Sequence, residues 1–461
     1  MTEAIPPKSE QEKRAINDAP VYNDAPPAFD DTTVLENDDG DVINYKTLSW
    51  WQGGIVLIAE TVSLGILSLP SVVATLGLVP GIVMIVLMGV MSTYSGLMLA
   101  EFRKQYPFVQ NFGDAVEVIG ASVGMGALFQ EVFGWGQVIF QVFIMGSHIL
   151  TWTICLNTLT NSSTCTVVWA VVGLVVFWVC NLPRTLKYTS FMSIASCLSI
   201  TTAVLITVVD VGVERPIGSG SIHIAQSLGF TSAFLAVCNI AIAFSSHSCF
   251  FTVISEFKKP EDFPKALALL QIFDMSLYLV TAIVIYVYVG PDVPSPALSA
   301  AGSSIVRKVI WGIAIPTIVI AGVIYGHVAA AYIFSRLFRN TKHVVRRTKL
   351  STFAWFGVTF AGWALAMVIA ESIPVFNNLL ALVGALFVSW FSYGLPGLFW
   401  LWMNWGNWFK DGKQTAHFFG NVFLFLIGLL VCVLGLWATI EAIIETGTEQ
   451  VPWTCQTNAA Q

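Results

Sequence analysis

Residues 53–70 have the sequence Gly53-Gly-Ile-Val-Leu-Ile-Ala-Glu60-Thr-Val-Ser-Leu-Gly65-Ile-Leu-Ser-Leu-Pro70, and this stretch decides how the chain is interpreted. It begins and ends as an apolar membrane helix, but its middle is polar. Glycine costs about 1 kcal/mol relative to alanine inside a helix, and Ser and Thr side chains compete for backbone groups. The stretch therefore predicts a helix that is interrupted between Ser63 and Gly65, where freed backbone groups line a cavity. The alternative is a continuous helix whose small residues permit close packing.

The composition places this stretch in a polytopic membrane protein. Of the 461 residues, 56% are hydrophobic and 11% are charged, and the mean hydropathy is +0.74. Soluble domains contain about 25% charged residues. The acidic residues that give the net charge of -6 are concentrated before Lys46. Residues 1–46 are therefore predicted to be a disordered acidic tail, and without an apolar core segment they do not form a cleaved signal peptide.

A membrane-spanning helix needs about 20 predominantly apolar residues, and this rule predicts an all-α protein with eleven spans between residues 47 and 445. The spans are 48–72, 77–101, 125–156, 166–183, 188–210, 228–254, 265–289, 309–337, 352–371, 375–403 and 416–442. Spans 1 to 5 (48–210) and spans 6 to 10 (228–403) make two sets of five, and span 11 is additional. Residues 446–461 form a C-terminal tail.

The basic residues predict the orientation, because loops rich in Lys and Arg stay cytoplasmic. One alternate set of loops carries only Arg215, Arg307 and Lys308. The other set carries Arg103, Lys104, Arg184, Lys187, Lys258, Lys259, Lys265, Arg336, Arg339, Lys342, Arg346, Arg347, Lys349, Lys410 and Lys413. The N-terminus is therefore predicted to be cytoplasmic and the C-terminal tail extracellular. Asn161, in the sequon Asn-Ser-Ser, then lies in an outer loop as a candidate glycosylation site.

Span 6 is also interrupted by polar residues, Ser245-Ser246-His247-Ser248. Broken helices at the first position of two consecutive sets are typical of inverted-repeat transporters, and they mark the binding site. No similarity between the two halves is visible, and span 6 has neither glycine nor proline at its interruption.

Several motifs resemble one family. The run from Glu60 to Pro70 resembles the opening of amino acid/auxin permeases, and Glu256-Phe-Lys-Lys-Pro-Glu-Asp-Phe-Pro264 resembles the loop after their sixth helix. Gly146-Ser-His-Ile-Leu150, the proline-rich run from Val289 to Ala297, and Gly312-Ile-Ala-Ile-Pro316 are similar to fungal neutral amino acid permeases of the methyltryptophan-resistance type. The resemblance extends from Leu48 to Cys455. It implies a LeuT-like fold of 5+5 inverted repeats, with broken helices 1 and 6, and proton-coupled symport of neutral aliphatic and aromatic amino acids by alternating access.

The candidate binding site combines the two interruptions. The amides of Gly65, Ile66 and Leu67 would begin a half-helix whose positive dipole end suits the substrate carboxylate. Carbonyls near Thr61, Phe244 and Ser245 would receive the ammonium group, with the hydroxyl of Ser63 assisting. The predicted walls of the side-chain pocket are Phe244, Phe140 and Ile144, with Phe387 and Phe391 of span 10 as further candidates.

Ionisable groups within spans are costly and are functional candidates by default. Glu60 is the first candidate for proton coupling; the alternative is that it is a permanently protonated packing residue. His247 is the second candidate; the alternative is that it is a neutral structural histidine. Asp274 is expected to pair with a basic loop residue, and Glu371 to act as a structural or gating group at the outer end. His148 and His327 have no readable role.

The remaining patterns limit the alternatives. Between Ile318 and Phe334, span 8 has no Ser or Thr that could bind sodium, so protons are favoured over sodium. A non-transporting amino acid sensor would share the same binding residues and stays open. No catalytic motif is present, and no cofactor, metal or nucleic acid is expected; the partners are an amino acid, protons and lipid, at the plasma membrane. Of the eight cysteines, only Cys165 and Cys455 lie outside the spans, which predicts a disulfide between them.

Overall fold

The structure is a computed structural model that describes residues 46, 48–184, 187–215, 221–339, 341, 343, 348–447 and 451–459, without the side chains of 187–190. The predicted acidic tail lies outside the described residues except for Lys46. Regular structure in the described part is helical, apart from one isolated bridge between Leu48 and Phe257.

The helices match the predicted spans, which confirms an all-α membrane protein. Ten helices in the described part are long and apolar enough to cross a membrane, and the helix of span 4 is shorter, with 15 residues. The helices of spans 1 to 5 are Trp50–Leu76, Leu78–Gln105, Gly126–Thr160, Thr166–Cys180 and Lys187–Glu214. Those of spans 6 to 11 are Phe230–Ala243 with His247–Ser255, Phe263–Val289, Ser304–Leu337, Lys349–Ser372, Phe376–Met403 and Gly412–Thr446.

Span 1 lies at the centre of the bundle and is buried along nearly its whole length. It packs against spans 2, 5, 7 and 8 and against the first half of span 6. Polar and ionisable side chains such as Glu60 and Ser63 are costly in contact with lipid, so a span that carries them is expected to be surrounded by other helices. Span 3 packs similarly against spans 4, 8 and 9, whereas span 11 lies against span 10.

The predicted break in span 1 is wrong, because the helix runs without interruption from Trp50 to Leu76. The hydroxyl groups that were expected to open the backbone instead bond carbonyls one turn back within the helix. Thr61 Oγ1 donates to Leu57 O at 2.7 Å, and Ser63 Oγ donates to Glu60 O at 3.1 Å. Such local bonds are compatible with a helical backbone, so the amides of Gly65, Ile66 and Leu67 remain inside the helix.

The predicted break in span 6 is confirmed. Its first half, 6a, ends at Ala243, and its second half, 6b, begins at His247. The three residues between them are buried. Span 10 is irregular as well, since Gly384–Gly394 forms a π-helix between two α-helical segments. π-helical segments are rare; most are single-turn bulges within α-helices, and these frequently occur at functional sites.

Two short helices and the loops close the ends of the bundle. We call the end that carries Arg103, Lys104, Lys258 and Arg336 the basic end, and the end that carries Cys165 and Cys455 the disulfide end. The helix Phe112–Ala121 lies at the basic end between spans 2 and 3, and it packs on span 3.

Candidate functional site

The interruption in span 6 is held by hydrogen bonds from span 2. Ser92 Oγ donates to Phe244 O at 3.3 Å, and His247 Nε2 lies 3.0 Å from Ser92 O and 2.8 Å from Ser95 Oγ. Because a carbonyl oxygen can only accept, the proton of His247 lies on Nε2. Nδ1 has no partner among the described residues. In this conformation the geometry is that of a neutral histidine that fixes the first turn of 6b.

Span 7 holds the other side of the interruption through Tyr278. Its hydroxyl oxygen lies 2.8 Å from the carbonyl oxygen of Ala243, which is the last residue of 6a. It also lies 3.2 Å from the carbonyl oxygen of Thr61 in span 1. The carbonyl at the C-terminal end of a helix has no partner within the helix, so Tyr278 stabilises this end. It thereby connects span 1, span 6a and span 7.

Glu60 lies in the buried core beside the interruption. The hydroxyl of Tyr325 in span 8 and the thiol of Cys249 in 6b face its carboxyl group. Neither carboxyl oxygen has a hydrogen-bond partner among the described residues, and the side chain is 2% exposed. Tyr325 also faces Ser245, in the interruption itself. A buried carboxyl without a partner is costly, so this position needs a specific explanation.

Two glutamines of span 3 contact the start of 6b. Gln137 Nε2 donates to Ser248 O at 2.8 Å, and its Oε1 accepts from Phe112 N at 3.1 Å. Gln141 Nε2 lies 3.4 Å from Ser248 Oγ, and its Oε1 has no partner in the described part of the chain. Ser246 Oγ is also buried and has no hydrogen-bond partner among the described residues. Donors and acceptors thus remain available around the first turn of 6b, whose N-terminal amides have no partner within the helix.

Gly65 contacts protein instead of lining a cavity. A Cβ atom at this position would lie 2.4 Å from the Cα atom of Ala243. The glycine therefore permits the close approach of span 1 to the end of 6a. Ser63 and Leu67 are buried within the same helix, as is Ile66.

The predicted aromatic walls form one cluster. The ring of Phe140 lies 5.6 Å from that of Phe387 and 5.8 Å from that of Phe391, both in the π-helix of span 10. Ile144 is buried one turn further along span 3. Phe244 lies apart from this cluster, since its ring packs against Tyr278 at 5.2 Å.

A cavity of about 1050 Å³ opens at the basic end of the bundle. Its lining includes Arg103, Lys104 and Arg184 near the surface, and it extends inward to Gln137 and His327. Since Gln137 bonds Ser248, the inner end of the cavity adjoins the first turn of 6b. We call this cavity the vestibule. Its volume is close to the upper limit for small-molecule sites, which is about 1,000 Å³.

One carboxyl group that lines the vestibule lies just beyond span 6. Burial raises the pKa of Glu256 to about 8, because the charged form is poorly solvated there. The backbone of Glu256 also accepts a hydrogen bond from Leu48 N at 2.9 Å. It therefore lies where the start of span 1 meets the end of 6b.

The other ionisable residues are dispersed. Asp274 is fully buried, and neither of its carboxyl oxygens has a partner in the described structure, so the expected pairing with a basic loop residue is wrong. Glu371 lies at the disulfide end, where its carbonyl accepts from Trp453 N at 3.3 Å. His148 is buried beside Tyr325 of span 8, and His327 lies against Trp355.

Sequence reasoning missed most of the groups that hold the interruption. They are Ser92, Ser95, Gln137, Gln141, Cys249, Gln271, Tyr278 and Tyr325. A signal exists for some of them, because polar residues four apart in an apolar span share one face of its helix. Gln137 with Gln141, and Asp274 with Tyr278, follow this pattern.

At the disulfide end, the Sγ atoms of Cys165 and Cys455 are 2.04 Å apart. The C-terminal tail packs over spans 3 and 4. Asn458 Nδ2 donates to Thr153 Oγ1 at 2.8 Å, and Thr166 Oγ1 donates to Gln456 O at 2.8 Å. The candidate glycosylation residue Asn161 is exposed directly after the helix of span 3.

Comparison with known proteins identifies the family. Residues 46–441 match the family described as "Transmembrane amino acid transporter protein". The chain belongs to this family. The match covers nearly the whole described bundle, including all five segments that had indicated a permease.

Two curated proteins that are similar to this transporter come from fungi. It is 31% identical over 423 residues to an "N amino acid transport system protein" from Neurospora crassa, covering 89% of each chain. It is 29% identical to a "Transmembrane transporter" from Fusarium pseudograminearum, covering 92% of this chain and 90% of that one.

A solved structure with a similar fold is Mhp1, a nucleobase-cation-symport-1 family transporter in a closed conformation with bromovinylhydantoin bound. The two share 14% identity, with a TM-score of 0.52, over 90% of this transporter and 96% of Mhp1. This similarity supports the LeuT-like fold class.

Proposed function

We propose that this amino acid transporter is a symporter that couples the uptake of neutral amino acids to protons. The observation that carries the proposal is the buried carboxyl group of Glu60 beside the interruption of span 6. It is faced by the Tyr325 hydroxyl and the Cys249 thiol, and neither of its oxygens has a hydrogen-bond partner among the described residues. Such a group can take up and release a proton when the transporter exposes it to water, and buried ionisable residues in spans mark proton and ion pathways.

The substrate binds at the interruption of span 6. The ammonium group is placed near Thr61 and the residues Phe244 and Ser245, as the sequence had suggested. The first turn of 6b offers amides for the carboxylate, since helix N-termini favour anions. Gly65, Ile66 and Leu67 could contribute amides only if span 1 unwinds during the cycle. Phe140 and Ile144 form the wall toward the substrate side chain.

Selectivity for neutral substrates follows from the charges around this site. The ionisable groups around the interruption include Glu60, Asp274 and His247, and His247 is occupied by span 2. A carboxyl group that carries a proton has no charge to offer a substrate. A charged substrate side chain would be buried there without a partner, at a cost of several kcal/mol. Aspartate and arginine should therefore compete for transport much more weakly than leucine or phenylalanine.

Protons are favoured over sodium by the polar residues of span 8. Its threonine nearest the middle, Thr317, bonds Ser196 of span 5 at 2.9 Å, and the following residues to Phe334 contain no further hydroxyl from Ser or Thr. We assign the proton to Glu60. His247 is the second candidate, and we propose that it acts by holding 6b to span 2.

We propose that transport proceeds by alternating access in the plasma membrane. The basic end is cytoplasmic, so the vestibule is the inner exit path and the disulfide end is extracellular. In this arrangement the N-terminus is cytoplasmic and the C-terminal tail, with its disulfide, is extracellular, as is Asn161.

The test is uptake of labelled leucine or phenylalanine by the purified protein in liposomes. An inward proton gradient should drive accumulation above the equilibrium level, and a sodium gradient at equal pH should not. Binding without any uptake would instead favour a sensor. Accumulation that follows sodium would overturn the proposed coupling while leaving amino acid transport intact.

A further inference from the structure

Span 7 presents three polar side chains in a row toward the interruption of span 6. Gln271, Asp274 and Tyr278 are spaced three and four residues apart, so they share one face of the helix. We call them the span 7 ladder. Gln271 Nε2 donates to Ser92 Oγ at 3.2 Å, and Ser92 in turn holds Phe244. Tyr278 holds the end of 6a and span 1.

Asp274, the middle member of the ladder, has no such bond. It is 0% exposed, and neither of its carboxyl oxygens has a hydrogen-bond partner among the described residues. It lies within electrostatic range of Glu60 on span 1 and of the Cys197 thiol on span 5. Two buried carboxyl groups, on spans that pack against each other, thus lack hydrogen-bond partners in the part of the chain that the structure describes.

No positive charge balances this pair in the described structure. Span 8 presents the Tyr325 hydroxyl and 6b the Cys249 thiol to Glu60, and span 7 itself presents Tyr278 to both carboxyl groups. Span 2 presents the Ser92 hydroxyl to the ladder, and His247 of 6b is bonded to span 2. Two carboxylates in such surroundings cannot both be charged without a large cost.

We propose that Asp274 is a second proton-binding residue, which exchanges the coupled proton with Glu60. In this step the O–H bond of one carboxylic acid breaks as an O–H bond forms on the other. The proton passes through a water molecule between them, because the two carboxyl groups are not hydrogen-bonded to each other among the described residues. The charge of the pair is unchanged by the transfer. The inference rests on the proton coupling proposed above, and it adds a partner to Glu60 on the helix that holds the interruption.

The test compares Asp274→Asn with Asp210→Asn in liposomes. Asp210 is a nearly buried carboxyl in span 5 whose Oδ2 accepts from Gly302 N at 2.8 Å, so it is a control for the loss of a buried carboxyl. Exchange of labelled for unlabelled leucine at equal pH reports folding and binding. Accumulation under a proton gradient, and protons moved per leucine, report coupling.

Asp274→Asn should keep exchange, lose gradient-driven accumulation, and move fewer protons per leucine than the wild type. Asp210→Asn should retain coupling. If Asp274→Asn is inactive in exchange, Asp274→Glu decides: a shifted pH for half-maximal uptake supports the proposal, and the wild-type pH profile contradicts it. If Asp274→Asn couples like the wild type while Glu60→Gln loses coupling, the proposed role of Asp274 is overturned and that of Glu60 stands. A wild-type protein that ignores the proton gradient would overturn the proposed function itself.

Discussion

Gly65 of span 1 faces the backbone of Ala243 at the end of 6a so closely that an added Cβ atom would lie 2.4 Å from the Ala243 Cα atom. A Cβ atom does not approach a non-bonded carbon atom this closely. The contact joins the central helix to the residue at which span 6 is interrupted.

Gly65→Ala should therefore force span 1 and 6a apart. Overpacking of this kind costs about 1–3 kcal/mol, and we expect lower thermal stability together with loss of leucine binding. The control is Gly357→Ala in span 9, where an added Cβ would meet no atom within 4 Å. Thermal unfolding in detergent and ligand binding measure both effects. Wild-type stability and affinity in Gly65→Ala would show that the two helices are not held at this distance.

His247 should be dispensable for coupling, because its Nε2 proton is directed to Ser92 O on span 2. Gln carries an amide donor at a similar reach, so His247→Gln should keep proton-driven accumulation at a reduced rate. His247→Ala should lose exchange as well as accumulation, since 6b is then released from span 2. If His247→Gln retained exchange but ignored the gradient, the histidine would be the proton carrier.

Glu256 should make the stability of the protein depend on pH. Its pKa is about 8 in the folded protein, against 4.5 for a free glutamate. The folded state therefore binds more protons than the unfolded state between these values, and stability falls as the pH rises from 4.5 to about 8. Above that range the contribution is constant.

Glu256→Gln should flatten this part of the profile and raise the Tm at pH 8 relative to the wild type. The control is Glu261→Gln, an exposed carboxyl of the same loop. Tm measured across the pH range in detergent decides the question. A variant whose Tm falls as steeply as that of the wild type would place the titrating group elsewhere.

The disulfide between Cys165 and Cys455 should hold the C-terminal tail over spans 3 and 4. Closing a long loop stabilises by about 2–4 kcal/mol in typical cases, and helices fixed by the bilayer reduce this effect. We expect Cys455→Ser to lower the Tm, with Cys432→Ser as the control for a free cysteine. Digestion without reduction should give a cross-linked peptide pair seen by mass spectrometry. Labelling of both thiols by an impermeant maleimide, without prior reduction, would reject the bond.

Much of the fold could be predicted from the sequence, because apolar runs and basic loops report membrane crossings directly. The interruption of span 6 was also predictable, since Ser245, Ser246 and His247 follow one another in an apolar helix. Span 1 was misinterpreted because Ser63 and Gly65 have two physical uses. A serine can open a helix or bond a carbonyl within it, and a glycine can break a helix or admit a neighbour. At Gly65 the choice depends on the contact with Ala243, a residue that is distant in the sequence.

The site itself was only partly predictable for the same reason. Glu60 was identified because a carboxyl in an apolar span is unusual. The contacts of Tyr278 with Thr61 and Ala243, and of Gln271 with Ser92, depend on how the spans pack. No local pattern in the sequence specifies those partners.

Proton-coupled leucine accumulation by Glu60→Gln tests the proposed role of Glu60 most directly, because glutamine resembles the protonated carboxyl group and cannot release a proton. The control is Asp292→Asn, which removes an exposed carboxyl in the loop between spans 7 and 8. Purified variants in liposomes are assayed for leucine exchange at equal pH and for accumulation under an inward proton gradient. The account predicts that Glu60→Gln exchanges leucine but does not accumulate it, while Asp292→Asn does both. Accumulation by Glu60→Gln that still follows the proton gradient would contradict the central claim.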